Sequence, residues 1–214
     1  EYKQAIIIGA APMEKEKIRL LGLLKWAGLL PLRKEERKNA DASDCTGSCK
    51  TCQSACDQKE MIKDLYIVAA DGGLQFLKEH GITPDYWVGD MDSSPSVEGD
   101  ELQAYTTMIQ GIPHEKVPIE KYDTDTALAV KKAYEEGDRE MLLFGCSGGK
   151  RISHTFANVQ LMCRYEEKGC HIKMMGSSFQ AEILRNGKQE YSKVLRGSIS
   201  VICLSDIAKN VEIK

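Results

Sequence analysis

The segment Leu65-Tyr-Ile-Val-Ala-Ala-Asp-Gly-Gly73 places a continuous apolar run directly before an Asp-Gly-Gly turn. A short apolar run of this kind predicts a strand that is buried on both faces, as in a parallel sheet. The residues from Leu74 to His80 predict a helix, which Gly81 ends. This order of strand, turn and helix predicts a βαβ unit and therefore a parallel sheet.

The same order recurs on both sides of this segment. Further strands are predicted at Ala5–Gly9, Tyr86–Val88, Glu140–Phe144 and His171–Met175, and further helices at Met13–Leu24, Thr124–Glu136 and Ser153–Lys168. Asp123 or Thr124 is expected to cap the second of these helices. We therefore predict an α/β domain over residues 1–176 with a parallel, doubly wound sheet, whose ligands bind at the carboxyl ends of the strands.

After residue 176 the pattern changes to alternating segments separated by turn residues. Gln180–Leu184, Gln189–Leu195 and Ser198–Leu204 are separated by Asn186-Gly187 and Arg196-Gly197. Alternating segments with such turns between them are typical of antiparallel strands. The sequence therefore predicts a small C-terminal antiparallel β domain over residues 177–214.

Residues 25–59 fit neither pattern and are expected to form a Cys-rich insertion in the α/β domain. This polar stretch contains Cys45, Cys49, Cys52 and Cys56. On a helix the spacing would place all four thiols on one face, whereas in a loop they would be able to bind zinc or an iron–sulfur cluster. The alternative is a solvent-exposed, redox-sensitive insertion. The other cysteines lie in apolar stretches and are expected to be small core residues. They are Cys146, Cys163, Cys170 and Cys203.

The composition excludes several classes of partner. The chain has 214 residues with 29 Lys and Arg against 32 Asp and Glu, a net charge of −3, which excludes a broad electrostatic attraction to nucleic acid. Its apolar runs are far shorter than the roughly 20 residues of a membrane helix, and the opening Glu1-Tyr-Lys-Gln is not expected to be a signal peptide. We expect a cytoplasmic enzyme with no nucleic-acid or membrane partner.

Acidic residues follow two of the predicted strands. Asp71 follows the strand at Leu65, and Asp90-Met-Asp92-Ser93 follows the strand at Tyr86. Two carboxylates spaced i, i+2 are able to point the same way and hold a hard cation. Mg²⁺ typically takes one or two carboxylates together with the phosphates of a substrate. These strand ends therefore predict a site for polyphosphate chemistry.

Two further clusters add groups that attract phosphate. Glu120-Lys121-Tyr-Asp123-Thr-Asp125-Thr126 places acids and a lysine at a helix start, where backbone N–H groups attract anions. Gly145-Cys-Ser-Gly-Gly149-Lys-Arg151 is a glycine-rich turn that carries two cations. Because the carboxyl ends of parallel strands meet at one edge of a sheet, we expect these clusters to share one site.

Taken in order, these motifs resemble those of the thiamine pyrophosphokinase (thiamine diphosphokinase) family. They are Ala69-Ala-Asp-Gly-Gly73, Pro84-Asp85, Gly89-Asp-Met-Asp-Ser93, Glu120-Lys121 with Thr124-Asp125, Arg151-x-x-His154-Thr with Asn158, and Gly197-Ser-Ile-Ser-Val201. The resemblance implies an α/β nucleotide-binding domain, a thiamine-binding β-sandwich domain, and a homodimer with active sites between domains of different subunits. It also implies Mg²⁺-dependent transfer of diphosphate from ATP to thiamine, with release of AMP.

The resemblance also assigns site residues. It implies that Asp71, Asp90, Asp92 and Asp125 are catalytic acids, the first three of which hold Mg²⁺. The resemblance and the residue pattern together predict contacts with nucleotide or phosphate for a larger set of polar, basic and glycine residues. These are Gly72, Gly73, Ser93, Lys121, Asp123, Thr124, Gly149, Lys150, Arg151, His154 and Asn158.

The chain departs from the family pattern at three positions, which keeps two alternatives open. Tyr122 and Ser153 stand where the family usually has Asp, and Lys150 separates the turn glycines from Arg151. The family usually continues beyond the point that corresponds to Lys214, so the thiamine-binding domain is expected to be incomplete. The alternatives are a diphosphokinase for another alcohol, such as a hydroxymethylpterin, and a catalytically impaired nucleotide or thiamine sensor.

Overall fold

A computed structural model describes residues 4–13, 16–26, 65–89, 110–117, 123–149, 151–191 and 197–213. Within these ranges one sheet contains seven strands. They are β1 (Gln4–Ile8), β2 (Leu65–Ala70), β3 (Tyr86–Gly89), β4 (His114–Lys116), β5 (Glu140–Phe144), β6 (His171–Met175) and β7 (Gln180–Glu182). The helices of the same ranges are α1 (Glu16–Trp26), α2 (Gly73–Glu79), α3 (Asp125–Glu135) and α4 (Ile152–Glu166). None of these helices is long and apolar enough to cross a membrane.

The strand order across the sheet is β4-β3-β2-β1-β5-β6-β7. Neighbouring strands from β4 to β6 are parallel, and β7 pairs antiparallel with β6 at one edge. The chain moves outward from β1 to β4 on one side and returns to β5 on the other side of β1. The ends of β1 and β5 are therefore the switch point, where open sheets of this type bind ligands.

Strand β1 contributes side chains to two cores, one on each face of the sheet. Ile6 and Ile8 pack with buried leucines of α1 and α2, whereas Ala5 and Ile7 pack with buried residues of α3 and α4. Side chains alternate along a strand, so a strand that is covered on both faces needs a continuous apolar run. The doubly wound α/β sheet predicted from that run is confirmed.

Most elements of the α/β domain lie close to their predicted bounds, and β4 is the exception. Thr124 caps α3 as expected, since its Oγ1 accepts the N–H of Ala127 at 3.2 Å. The three residues of β4, His-Glu-Lys, are all exposed. This strand was not predicted because its residues carry no apolar pattern.

The strands predicted after residue 176 have different outcomes. The segment at Gln180–Leu184 is present as β7 and joins the main sheet. Ser198–Leu204 is not a strand in the described range 197–213, and its apolar side chains are exposed. Alternation alone is insufficient there, because a strand needs a neighbour for its backbone hydrogen bonds. Gln189–Leu195 lies partly outside the described residues, and the division into two domains stays a prediction.

Gly73 provides a test of the contact between α2 and β1. A Cβ added at Gly73 would lie 2.0 Å from the carbonyl oxygen of Ile8 and 2.7 Å from its carbonyl carbon. Backbone atoms cannot rotate away as a side chain can, so the helix has to move. We expect Gly73→Ala to lower the free energy of unfolding by about 1–3 kcal/mol, measured by chemical denaturation.

Gly22→Ala is the matched control, because it adds the same methyl group inside α1. Nothing lies within 4 Å of a Cβ at Gly22. Alanine is the better helix former, so this variant is expected to be neutral or more stable by up to about 1 kcal/mol. Equal stability of the two variants would contradict the close contact at Gly73.

Candidate functional site at the carboxyl edge of the sheet

The loop after β1, residues 9–13, lies between two glycine turns. A Cβ added at Gly72 would lie 3.2 Å from the Cβ of Ala10, and one added at Gly149 would lie 3.8 Å from the Cβ of Ala11. The turn Asp71–Gly73 after β2 is therefore on one side of this loop, and the turn Gly145–Gly149 after β5 is on the other. The structure brings these two predicted site segments to one edge of the sheet.

Glycines allow the backbones of the β1 loop and the β5 turn to meet. The N–H of Gly9 donates to the carbonyl oxygen of Phe144 at 2.8 Å, and the N–H of Ala11 donates to that of Gly145 at 2.9 Å. A Cβ at Gly9 would lie 2.5 Å from the carbonyl oxygen of Gly145. Gly145 itself has φ of 62°, a conformation that glycine adopts without a steric penalty. A side chain at Gly9 or Gly145 would displace the backbone at the switch point.

Asp71 adopts a left-handed backbone conformation with φ of 49° at the end of β2. Its N–H donates to the carbonyl oxygen of Val88 at 2.8 Å. Its own carbonyl oxygen accepts the N–H of Leu74 and the indole N–H of Trp87, each at 3.2 Å. An aspartate in this region of φ is strained and persists where its surroundings hold it. Strand β3 thus contributes to holding the predicted catalytic acid.

The end of β3 lies directly against Asp71. A Cβ added at Gly89 would lie 3.1 Å from the Cα of Asp71 and 2.7 Å from the Trp87 ring. Asp90 and Asp92 follow Gly89 in the sequence and lie outside the described residues. Carboxylates that follow adjacent parallel strands are the oxygen donors that Mg²⁺ prefers, so the residue types at these strand ends fit that ion.

The start of α3 lies beside the β5 turn. The Cys146 thiol donates to the carbonyl oxygen of Phe144 at 3.3 Å, and it lies close enough to the side chain of Thr126 and the backbone of Gly9 for both to lower its pKa. Thr124 is the N-cap residue of this helix and Asp125 is its first residue. The predicted segment from Asp123 to Asp125 is therefore brought to the same edge as the β1 loop and the β5 turn.

The start of α4 carries a positively charged side chain, Arg151, and no Asp or Glu in its first turn. Arg151 is the N-cap residue, and within the described residues its side chain makes no capping hydrogen bond. Arg151, Ser153 and His154 are exposed, and the first turn contains no acidic residue. The positive end of the helix dipole together with Arg151 favours an anion at this position. Asn158, one turn later, is buried, and its Nδ2 donates to the carbonyl oxygen of Cys146 at 2.7 Å.

A cavity of about 200 Å³ opens between the β1 loop and α2. The helix side of this cavity is lined by Gly72, Gln75, Phe76 and Glu79. The Nε2 of Gln75 donates to Oε1 of Glu79 at 3.1 Å. Of these residues only Gly72 was predicted from the sequence, because Gln75, Phe76 and Glu79 are ordinary residues for one face of a short helix.

Several predicted site residues fall outside the described part of the chain. They are Asp90, Asp92, Ser93, Lys121 and Lys150, together with Cys45, Cys49, Cys52 and Cys56. Among the residues that are described, no group of three or more His, Cys, Asp or Glu is arranged to hold a metal ion. The metal assignments of the sequence analysis therefore stay predictions.

The family model "Thiamin pyrophosphokinase, catalytic domain" matches residues 58–174, which is more than half of the chain. No curated protein sequence matches the chain.

Two solved structures are similar to this fold. A thiamine pyrophosphokinase from Bacillus subtilis has 20% sequence identity and a TM-score of 0.50, covering 81% of this chain and 60% of that chain. A thiamin pyrophosphokinase family protein from Enterococcus faecalis has 19% identity and a TM-score of 0.52, covering 83% of this chain and 63% of that chain. The chain therefore spans less than two thirds of the length of either protein. At these identities the likeness concerns the fold.

Cys146 provides a test of how closely the β1 and β5 ends are packed. Burial raises the pKa of its thiol to about 12, and the neighbouring Thr126 side chain and Gly9 backbone lower it by a smaller amount. Alkylation requires the thiolate, so we expect Cys146 to resist iodoacetamide at about pH 8 in the folded chain and to react after denaturation. Peptide mass spectrometry measures the extent of labelling at each cysteine.

Cys203 is the internal control for this measurement. It is exposed, so the prediction that it is a core residue is wrong, and its thiol is open to the reagent. We expect Cys203 to be labelled in the folded chain, at concentrations low enough to keep it monomeric, under the conditions that leave Cys146 intact. Equal labelling rates at the two positions would contradict the closed contact between the strand ends.

Proposed function

The chain belongs to the thiamine pyrophosphokinase family, and from this premise we propose that it transfers a diphosphoryl group from ATP to the hydroxyl of thiamine and releases AMP. The observation that carries the proposal is the packing of the Asp71 turn and the Gly145–Gly149 turn on either side of the β1 loop. An acid at a strand end beside a glycine turn and a helix N-terminus is suited to binding and orienting a polyphosphate.

In the proposed reaction the hydroxyl oxygen of thiamine bonds to the β-phosphorus of ATP. The bond between that phosphorus and the oxygen bridging to the α-phosphate breaks, AMP leaves, and the hydroxyl proton passes to solvent. Such transfers leave little covalent work to the protein, so positioning and stabilisation of charge dominate. Arg151 and the N-terminus of α4 are the described groups that would receive phosphate charge.

We propose that Asp71, Asp90 and Asp92 hold Mg²⁺, which when bound neutralises charge on the phosphates. Asp71 lies at the end of β2, and hydrogen bonds with Val88 and Trp87 fix its backbone. The other two acids follow β3 in the sequence. Asp125 would add a carboxylate from the start of α3, next to Thr126, which lies beside Cys146.

We propose that the active protein is a homodimer, as the family resemblance implies. The described range 197–213 supports this proposal, because its large apolar side chains are exposed. They are Ile199, Val201, Ile202, Leu204, Ile207, Val211 and Ile213. Apolar surface of this extent is typical of a segment that packs against further protein.

The second candidate function is a nucleotide or thiamine sensor that does not turn over. It is favoured by Ser153, which leaves the first turn of α4 without an acid where the resembled family usually has one. A change of acceptor, for example to a hydroxymethylpterin, is the other alternative. Each of the three functions gives a different result in one assay.

That assay is AMP release from Mg·ATP by the purified chain, with thiamine, with hydroxymethylpterin, and without an acceptor. Thiamine-dependent AMP supports the proposed function, AMP with the pterin alone supports the other acceptor, and binding of ATP or thiamine without AMP supports the sensor. The metal content of the same preparation reports on the cysteine cluster. Zinc or iron that is lost when Cys45, Cys49, Cys52 and Cys56 are replaced by serine identifies a bound metal, and its absence favours the redox-sensitive insertion.

The acids provide the mutational test. Asp71→Asn keeps the size of the side chain and removes its charge, and we expect it to lower thiamine-dependent AMP formation by about 100-fold or more. Asp90→Asn and Asp92→Asn are expected to act in the same direction. Glu135→Gln is the control, because it removes a charge at the opposite end of α3, where the side chain is exposed. Full activity in all three aspartate variants would refute the proposed acidic site.

A further inference from the structure

We propose that Thr155 and Asn158 are positioning residues for the proposed diphosphoryl transfer, because their side chains hold the glycine turn that precedes α4. The N–H of Gly148 donates to Oγ1 of Thr155 at 3.0 Å, and Nδ2 of Asn158 donates to the carbonyl oxygen of Cys146 at 2.7 Å. Helix α4 therefore holds its own preceding turn at two points, once as acceptor and once as donor. This inference rests on the proposed function, in which the turn and Arg151 receive the polyphosphate.

The placement of the two side chains favours an indirect role. Thr155 and Asn158 are three residues apart on α4, so they lie on the same side of the helix. Asn158 is only 4% exposed. Its amide nitrogen is directed to a backbone oxygen inside the protein, which differs from the direct nucleotide contact that the resemblance implies for it. Thr155 follows His154 in the motif, and the resemblance implies no role for it.

The turn needs such support because its sequence does not determine its conformation. Gly145, Gly148 and Gly149 all have positive φ, at 62°, 76° and 79°. Glycine loses more conformational freedom on folding than any other residue. The first part of the turn is buried, whereas Gly148 and Gly149 are exposed. The bond to Thr155 acts on the exposed part, and the bond to Asn158 acts on the buried part at Cys146.

The position of Arg151 depends on this turn. Arg151 is the N-cap residue of α4, and its carbonyl oxygen accepts the N–H of His154 at 3.2 Å. If the turn changes conformation, Arg151 shifts and so does the space beside it in which the polyphosphate would bind. Misplacement of a charged group by about 1 Å is enough to slow catalysis substantially. A bond with a structural role alone would affect stability and leave nucleotide affinity unchanged.

The test measures binding of α,β-methylene-ATP with Mg²⁺ by calorimetry, because this analogue cannot release AMP. Thr155→Val keeps the branched shape and removes the hydroxyl, whereas Thr155→Ser keeps the hydroxyl. We expect Thr155→Val to weaken analogue binding by about tenfold and to raise the KM for ATP similarly, with the KM of the acceptor unchanged. Thr155→Ser is expected to stay within about twofold of the wild type, since it still accepts the Gly148 N–H.

Thr83→Val is the matched control, since it makes the same exchange at an exposed residue before β3, at the opposite end of the sheet. It is expected to leave analogue binding and both KM values unchanged. Asn158→Ala is expected to weaken binding in the same direction as Thr155→Val. If Asn158→Ala does not fold, the two Thr155 variants decide the proposal.

The outcomes separate this proposal from the proposed function. A lower Tm for Thr155→Val with unchanged analogue affinity below that Tm would overturn the positioning role. Loss of affinity in both Thr155→Val and Thr155→Ser would also contradict it, because the hydroxyl would not be the relevant group. A wild type that binds the analogue and makes no AMP refutes the proposed function alone, and the binding comparison still decides the role of Thr155. A wild type that does not bind the analogue overturns both.

Discussion

The backbone hydrogen bonds from Gly9 to Phe144 and from Ala11 to Gly145 join the two strands between which the chain changes direction across the sheet. At this point α1 and α2 cover one face and α3 and α4 cover the other. The turn after β2 and the turn after β5 both pack on the loop that these bonds hold. A side chain at Gly9 or Gly145 would separate the strand ends, so the arrangement of every described site segment depends on their having none.

The strained backbone at Asp71 is consistent with a site rather than an ordinary turn. A non-glycine residue in the left-handed region costs of order 1–3 kcal/mol, which other interactions must offset. Here the offset comes from hydrogen bonds with Val88, Leu74 and Trp87. Trp87 is fully buried, so the same side chain fills the core and supports the acid at its edge. Packing of the core and the position of Asp71 are therefore coupled through one aromatic residue.

The sequence was sufficient to predict the central strands and the described segments that meet at the carboxyl edge of the sheet. The apolar runs at β1, β2 and β5 predict buried parallel strands. Asp71, Thr124 and Gly149 were predicted as site residues because they lie at the ends of predicted strands and helices. Elements at the edge of the fold were harder to predict from the sequence. Strand β4 has three exposed polar residues, and Ser198–Leu204 has the alternating pattern of a strand but forms no strand in the described residues.

Contacts between segments far apart in the sequence were not predictable from local pattern. The indole of Trp87 reaches Asp71 because β2 and β3 are neighbours, which periodicity alone does not reveal. The φ of 49° at Asp71 also has no local signal, since aspartate is common at turns with ordinary φ. Thr155 and Asn158 occupy helix positions typical of solvent-facing or capping residues, and only the folded turn places backbone partners within their reach.

The central position of β1 also affects the order in which the chain is able to fold. β1 spans residues 4–8 and pairs with β5 at residues 140–144, so one side of the central strand has no partner until the residues up to β5 have been synthesised. Contacts of such long sequence separation carry a large loop-closure entropy and slow folding. During translation β1 emerges before β5, and its hydrogen-bonding edge on that side has no partner until β5 arrives. An unpaired, apolar strand favours aggregation of nascent chains, so β1 is a segment that chaperones would need to protect.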